Sequence, residues 1–205
     1  MNHTNLFHFF KKGLPLFSLL SLALSLWSCD PISSKPSELI DWIPQNSSWV
    51  IQINDGNTLT SELTNNEVFK EIKLLNKGLT EDISGLLSGT PDIESLLCVT
   101  KVGKNPGALT HIYKAPLDST LMNGPSIEYS KVQINIEKRA TKVLYSTNIS
   151  GYTLRSTSQL LIENCIRTSQ QNSTSNTTKL FKSIYATLDT GAPINILVQP
   201  KVEEL

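Results

Sequence analysis

The amino-acid sequence predicts an α+β domain, in which an antiparallel or mixed β-sheet carries amphipathic helices packed on one face. Three observations lead to this class. Short runs rich in β-branched and aromatic residues recur along the chain, as in residues 49–53. Residues 127–137 alternate between apolar and polar side chains, which is typical of a half-buried antiparallel strand. Two stretches after residue 156 place apolar residues at helical spacing.

Seven segments have the composition and flanking turn residues of strands. They cover residues 49–53, 95–102, 108–115, 127–137, 142–146, 152–156 and 193–198. The alternation in residues 127–137 predicts one continuous strand. Its core face would consist of Ser130, Val132, Ile134 and Ile136, and its other face of Tyr129, Lys131, Gln133 and Asn135.

Helices are predicted between these strands. A short helical turn is expected over residues 38–42, and a longer helical segment over residues 59–77, where Thr64 and Glu67 match a capping box. Residues 78–91 are predicted to be a Gly- and Ser-rich connection with a helical turn around Ile83. Further helices are expected from an N-cap in residues 156–158 to Arg167, and over residues 179–188.

Residues 1–28 have the organisation of a lipoprotein signal peptide. Lys11 and Lys12 precede an apolar run that is shorter than the roughly 20 residues a membrane-spanning helix needs. The run ends in Leu26-Trp27-Ser28-Cys29, which resembles a bacterial lipobox although Trp27 departs from the usual small or aliphatic residue. An ordinary cleaved signal and an uncleaved membrane anchor are the two alternatives.

The lipobox implies that a diacylglyceryl group is attached to the Cys29 sulfur and that cleavage follows between Ser28 and Cys29. Each buried acyl carbon contributes about 0.8 kcal/mol, so two or three chains, palmitate among them, would hold the protein on a bilayer. Residues 29–37 would be the lipid-anchored tether, and residues 38–205 a single α+β domain. Because a predicted strand lies close to Leu205, this domain could be the front part of a longer architecture.

The expected location is the bacterial cell envelope. Asp30 follows the lipidated cysteine without a cluster of acidic residues, which favours the outer membrane, facing the periplasm, over the cell surface. The whole chain has 18 basic and 18 acidic residues. Loss of Lys11 and Lys12 with the signal peptide leaves the mature chain weakly acidic, which does not suit a nucleic-acid partner.

Catalytic chemistry has little support in the sequence. His111 is the single histidine after the signal peptide, no Gly-x-Ser-x-Gly pattern occurs, and the ligands of a metal site are too few. We therefore predict no catalytic residue, no cofactor and no metal, with His111 on the sheet surface. Cys98 and Cys165 form either a disulfide or two buried free thiols.

The predicted function is a non-enzymatic binding or scaffold module of unknown ligand. Its partners would be the membrane, through acyl chains on Cys29, and an envelope protein. The alternative is an envelope hydrolase that uses carboxylates or a serine with His111. Exposed aromatic residues such as Trp42 and Tyr129 would favour binding, and buried carboxylates in a deep pocket would favour the enzyme.

Several segments together resemble an uncharacterised family of exported bacterial lipoproteins with a domain of unknown function. They are the lipobox, Ile43-Pro44-Gln45-Asn46-Ser47-Ser48-Trp49-Val50-Ile51-Gln52-Ile53-Asn54, Leu63-Thr64-Asn65-Asn66, Phe69-Lys70-Glu71-Ile72, and Gly151-Tyr152-Thr153-Leu154-Arg155-Ser156-Thr157-Ser158 with Leu160-Leu161-Ile162-Glu163-Asn164. The resemblance implies export and a lipid anchor, and it carries no catalytic or binding residues. Members of this type tend to be longer than 205 residues.

Overall fold

The described strands form an antiparallel sheet. The computed structural model describes residues 38–56, 58–59, 67, 79–119, 124–139, 142–171 and 176–199, all within one compact unit. Eight strands are hydrogen-bonded in the order β4-β5-β6-β7-β3-β2-β1-β8, and each neighbouring pair is antiparallel. Their bounds are β1 Ser47–Ile53, β2 Ser95–Val102, β3 Asn105–Tyr113, β4 Ser126–Tyr129, β5 Val132–Arg139, β6 Lys142–Ile149, β7 Tyr152–Ser156 and β8 Ile194–Val198.

Four helical elements with defined bounds accompany the sheet, and the described residues 56, 58–59, 67 and 119 are helical as well. The four elements are a 3₁₀ helix, η1, at Leu39–Trp42, and three α-helices: α1 Leu79–Leu87, α2 Gln159–Gln171 and α3 Asn176–Tyr185. The α+β class is confirmed, and the sheet is antiparallel rather than mixed. The predicted helical segment over residues 59–77 lies largely outside the described residues, as do Ser28, Cys29 and the whole of residues 1–37.

Buried apolar side chains lie on both faces of the sheet. Val50 and Leu96 belong to one hydrophobic cluster, whereas their neighbours Ile51 and Leu97 belong to another. Successive residues of a strand point to opposite faces, so the two clusters lie on opposite sides of the sheet. We call these the first face, which carries Val50, and the second face, which carries Ile51.

The prediction that the helices pack on one face is wrong for α1. Ile162, Ile166 and Phe181, from α2 and α3, belong to the cluster of the first face. Ile83 and Leu86 of α1 belong to the cluster of the second face. The helical turn predicted around Ile83 within the connection over residues 78–91 is in fact a nine-residue helix, whose apolar residues at positions 83 and 86 cover the sheet.

The predicted strand over residues 127–137 is two strands. Ser130 and Lys131 have φ values of 49° and 65°, and they form the two-residue turn of a hairpin that pairs Tyr129 with Val132. Positive φ at both central residues gives the backbone twist that a tight hairpin needs. Tyr129 and Val132 therefore share a face and both pack against the first cluster, contrary to the predicted alternation.

The burial of Ile134 is confirmed, since its exposed fraction is 0%. Asn135 on the opposite face is also buried, so β5 is covered on both sides at its centre. The remaining strands and helices differ from the predicted bounds only at their ends. For example, β3 begins at Asn105 and α3 ends at Tyr185.

Candidate functional site

His111, the residue that a serine hydrolase would need, lies inside the protein rather than on the sheet surface. It is in β3, with Leu97 and Arg155 as its partners on the neighbouring strands, and it is 1% exposed. Neither ring nitrogen has a hydrogen-bond partner among the described residues. The pKa of His111 is lowered to about 3, first by burial and then by the positive charge of Arg155, while the nearby Leu86 backbone acts weakly in the opposite direction without forming a hydrogen bond of good geometry. The imidazole is thus neutral at pH 7 and remote from solvent.

Arg155 is buried beside His111 and stabilises the end of α1. Its Nη1 donates to the carbonyl oxygens of Leu86 and Ser88 at 2.6 Å and 2.8 Å, and its Nη2 lies 3.4 Å from Glu137 Oε2. The last carbonyl groups of a helix lack partners within the helix, and a positive charge is favoured there. Because α1 has no basic residue in its last turn, Arg155 provides this charge from β7.

Four buried polar side chains form a row across the second face. Asn135, Ser146, Arg155 and His111 are opposed in register on β5, β6, β7 and β3. We call this row the polar ladder. Ser146 is opposite Arg155 rather than His111. A serine nucleophile needs a histidine base beside it, and the polar ladder does not place a serine hydroxyl beside the imidazole in this way.

A different group of residues surrounds an open cavity of about 390 Å³ at one end of the sheet. The lining residues are Glu38, Leu39, Ile93, Glu94, Lys114, Tyr152 and Tyr185. The strand register explains why they meet. Ser95 is opposite Tyr113, which is opposite Thr153, so Glu94, Lys114 and Tyr152 lie at the same ends of β2, β3 and β7. The other lining residues come from η1, α3 and the connection before β2.

Glu94 is the best-anchored carboxylate of the cavity. Its Oε1 accepts hydrogen bonds from Gln52 Nε2 at 2.8 Å and from the Tyr185 hydroxyl group. Gln52 also donates to the Tyr185 oxygen at 3.2 Å, and its own Oε1 accepts from Asn195 at 3.0 Å. Burial and the charge of Glu94 raise the pKa of Tyr185, so its hydroxyl group remains a donor at neutral pH.

Tyr152 provides an aromatic ring to the lining of the cavity. The Tyr152 ring packs against Trp42, with 5.4 Å between ring centroids, and Lys114 Nζ lies 5.8 Å from the Tyr152 centroid. Burial raises the pKa of Tyr152, and the charges of Asp41 and Glu38 add to this effect. Trp42 itself is only 2% exposed, so it is not one of the exposed aromatic residues that would favour binding.

Two carboxylates at the rim hold a lysine. Lys182 Nζ of α3 lies 3.3 Å from Glu38 Oε2 and 3.2 Å from Asp41 Oδ1. The pair of contacts connects α3 to η1 across the edge of the cavity. The hydrogen bond to Asp41 is the main reason that the pKa of Lys182 is raised.

Cys98 and Cys165 are buried free thiols in the hydrophobic cluster of the first face. Burial raises the pKa of Cys165 to about 12 and that of Cys98 still further, with Cys165 contributing to the shift of Cys98. Reactive cysteines need a thiolate, so these two thiols are unreactive as they stand. Of the two alternatives that the sequence leaves open, the structure contains the free thiols and not the disulfide.

Within the described ranges, no group of three or more His, Cys, Asp or Glu side chains is arranged to hold a metal ion. In the same part of the chain, no helix has the length and apolar character needed to cross a membrane.

Comparisons with protein families, with curated proteins and with solved structures find no match for this chain. The cavity residues carry no sequence signal, because no motif connects positions as distant as Glu38, Glu94 and Tyr185.

Proposed function

We propose that the protein is a lipid-anchored envelope protein whose domain is a non-enzymatic binding module with its ligand site in the open cavity. One observation carries the proposal. The charged and aromatic side chains that line the cavity are held in place by contacts with neighbouring side chains. Glu94 is fixed by Gln52 and Tyr185, and Tyr152 is supported by Trp42. Concave sites with a few oriented polar groups are where proteins bind ligands. In this proposal α2 and α3 cover the first face and leave the cavity open.

The proposed location follows from the first 37 residues. Residues 1–28 would direct export, and Cys29 would carry the acyl chains that bind the membrane. Residues 29–37 would then hold the domain a short distance from the bilayer, so that an envelope protein could reach the cavity. Membership in the exported lipoprotein family suggested by the sequence segments is part of the same proposal.

The alternative function, an envelope hydrolase, would now have to use carboxylates. The buried, neutral His111 argues against a serine mechanism. Glu38 and Glu94 are the two carboxylates that line the cavity, and glycosidases use two carboxylates on either side of the bond they cleave. Glu38 is, however, already engaged in an ion pair with Lys182 of α3.

Affinity capture tests the binding module. The tagged full-length protein is purified from gently solubilised membranes together with its partners, and the Glu94→Gln/Tyr185→Phe variant is treated in parallel. Glu128→Gln removes a charge from β4, outside the cavity, and serves as the matched control. A species recovered with the wild type and the control but absent from the cavity variant is the expected result. Equal recovery with all three proteins would contradict the proposal.

A substrate panel tests the alternative. Esterase, peptidase and glycosidase substrates are incubated with the wild-type protein, with His111→Ala and with Glu94→Gln. We expect no turnover by any of the three proteins. Turnover by the wild type that Glu94→Gln abolishes would replace the binding module by a carboxylate hydrolase, and loss in His111→Ala would restore the serine mechanism.

A further inference from the structure

We infer that the cavity recognises an alkylammonium group, such as the side chain of a peptide lysine or one end of a polyamine. This inference rests on the proposed binding function and names the chemical class of the ligand. Two carboxylates, Glu38 and Glu94, and two tyrosine rings line the cavity, against a single lysine, Lys114. Carboxylates and the faces of aromatic rings are the two protein surfaces that attract organic cations.

The chain's own lysines show both modes of recognition at this place. The Lys182 ammonium group is held by Glu38 and Asp41 at 3.3 Å and 3.2 Å. The Lys114 ammonium group lies over the Tyr152 ring, 5.8 Å from its centroid. One ammonium group thus lies within the cavity, at Lys114, and another, at Lys182, is bound to the lining residue Glu38. Among the described residues, Lys114 forms no ion pair, and its ammonium group contacts the Tyr152 ring alone.

Glu94 is the carboxylate left for a ligand. In the described part of the chain it forms no ion pair, and both of its hydrogen bonds are to Oε1 and come from neutral donors, Gln52 and Tyr185. Its Oε2 is therefore available on an exposed side chain whose position is fixed by two neighbours. A fixed carboxylate needs no reorganisation when a cation binds, which is the condition for a charge-assisted hydrogen bond.

Lys114 gives the inference a distinctive consequence. An incoming ammonium group would be repelled by Lys114, because like charges in one site disfavour each other. Removal of the Lys114 charge should therefore strengthen the binding of a cation. The same substitution would weaken the binding of an anion, and it would have no systematic effect on a neutral ligand. The sign of this change identifies the charge of the ligand.

The experiment titrates the ¹⁵N-labelled protein with N-acetyl-lysine N-methylamide and follows the amide signals of Ile93, Glu94 and Tyr152 by NMR. The norleucine analogue has the same apolar stem without the ammonium group, and the glutamate analogue has the opposite charge. Spermidine in a second series distinguishes a free polyamine from a peptide side chain. We expect saturable shifts at these residues with lysine or spermidine, and none with norleucine or glutamate.

Two variants complete the test. Glu94→Gln keeps the shape and the hydrogen bonds of the side chain, and we expect it to weaken lysine binding about tenfold. Lys114→Met keeps the apolar stem, and we expect it to strengthen lysine binding about threefold at low salt. Equal shifts with lysine and norleucine, no shift with either lysine or spermidine, or weaker binding of the ammonium ligand to Lys114→Met would overturn the inference. Binding of the glutamate analogue at the same residues would preserve the binding module while replacing its ligand class.

Discussion

At the scale of single residues, Arg155 connects three elements. From β7 its guanidinium group reaches the carbonyl oxygens that end α1 and the Glu137 carboxylate of β5. Arg139 donates to the same carboxylate, so Glu137 lies between two guanidinium groups. Arg155 is 1% exposed, and loss of its side chain would leave buried carbonyl groups without a donor. Its importance is therefore to stability rather than to catalysis.

The first prediction concerns this residue. Arg155→Met should lower the free energy of unfolding by about 3 kcal/mol or more, since it removes charged hydrogen bonds and leaves buried acceptors unpaired. Urea unfolding followed by tryptophan fluorescence measures the loss. Arg167→Met, on the exposed side of α2, is the control and should change the value by less than about 0.5 kcal/mol. Similar stability of the two variants would contradict the role assigned to Arg155.

His111 leads to a prediction about pH. In the unfolded chain its pKa has the ordinary value of 6.5, whereas in the folded protein it is about 3. Between these values the unfolded state binds a proton that the folded state does not, so stability falls as the pH falls. We expect a loss of about 1.4 kcal/mol per pH unit from this group within that interval.

The measurement compares urea unfolding of the wild type and of His111→Gln at several values between pH 7 and pH 4. Other titrating groups are common to both proteins, so the difference between the two profiles isolates His111. The wild type should lose stability more steeply on acidification. Parallel profiles would mean that the imidazole is accessible to protons in the folded state.

The burial of His111 is not predicted by the sequence. A polar residue within an alternating strand usually faces solvent, so the pattern predicts His111 on the sheet surface. Here the strand is covered on both faces, so the polar position also became buried. A single sequence contains no sign that the two faces are covered, since the covering residues of α1 lie in a segment that reads as a connection.

At the scale of elements, alternation located strands well and turns poorly. The pattern in residues 127–137 is continuous, and neither Ser130 nor Lys131 is a glycine or asparagine that would indicate a tight turn. Both nevertheless adopt positive φ. β5 pairs with β4 on one side and with β6 on the other. These contacts between strands stabilise the hairpin, and the residues of the turn do not reveal them in the sequence.

A substitution in β5 tests the register of the sheet. Ile134→Asp should destabilise the protein by about 3 to 5 kcal/mol, because it places an unpaired charge in the cluster of the first face. Gln133→Asp, at the exposed neighbouring position, should have a small effect. Thermal or urea unfolding of both variants measures the contrast. An unchanged midpoint for Ile134→Asp would show that the first face is open to solvent at β5.

At the scale of the whole molecule, the fold class could be predicted and the cavity could not. The antiparallel sheet follows from local patterns repeated along the chain. The cavity is formed by residues from Glu38 to Tyr185 that meet only after β2, β3 and β7 have paired and α3 has returned to η1. Lys114 and Glu94 look like ordinary solvated charges in the sequence, so no local signal distinguishes them.

Membrane attachment is tested on the complete chain in cells. Cys29→Ser should abolish labelling by a radioactive fatty acid, because serine lacks the thiolate that forms the thioether bond. We expect the wild-type protein to be labelled and the variant to be unlabelled, with the two proteins present in similar amounts. Equal labelling of the two proteins would show that the lipid is not on Cys29 and would refute the proposed anchor.

Site-specific photo-crosslinking in intact cells tests most directly whether the cavity binds a partner. A benzoylphenylalanine residue replaces Ile93, which lines the cavity, or Lys138, which is exposed in β5 outside it. We expect a discrete crosslinked product from position 93 that is absent from position 138 and that disappears when Glu94→Gln is added. No product from position 93, or the same products from both positions, would contradict the proposal that this cavity is the binding site.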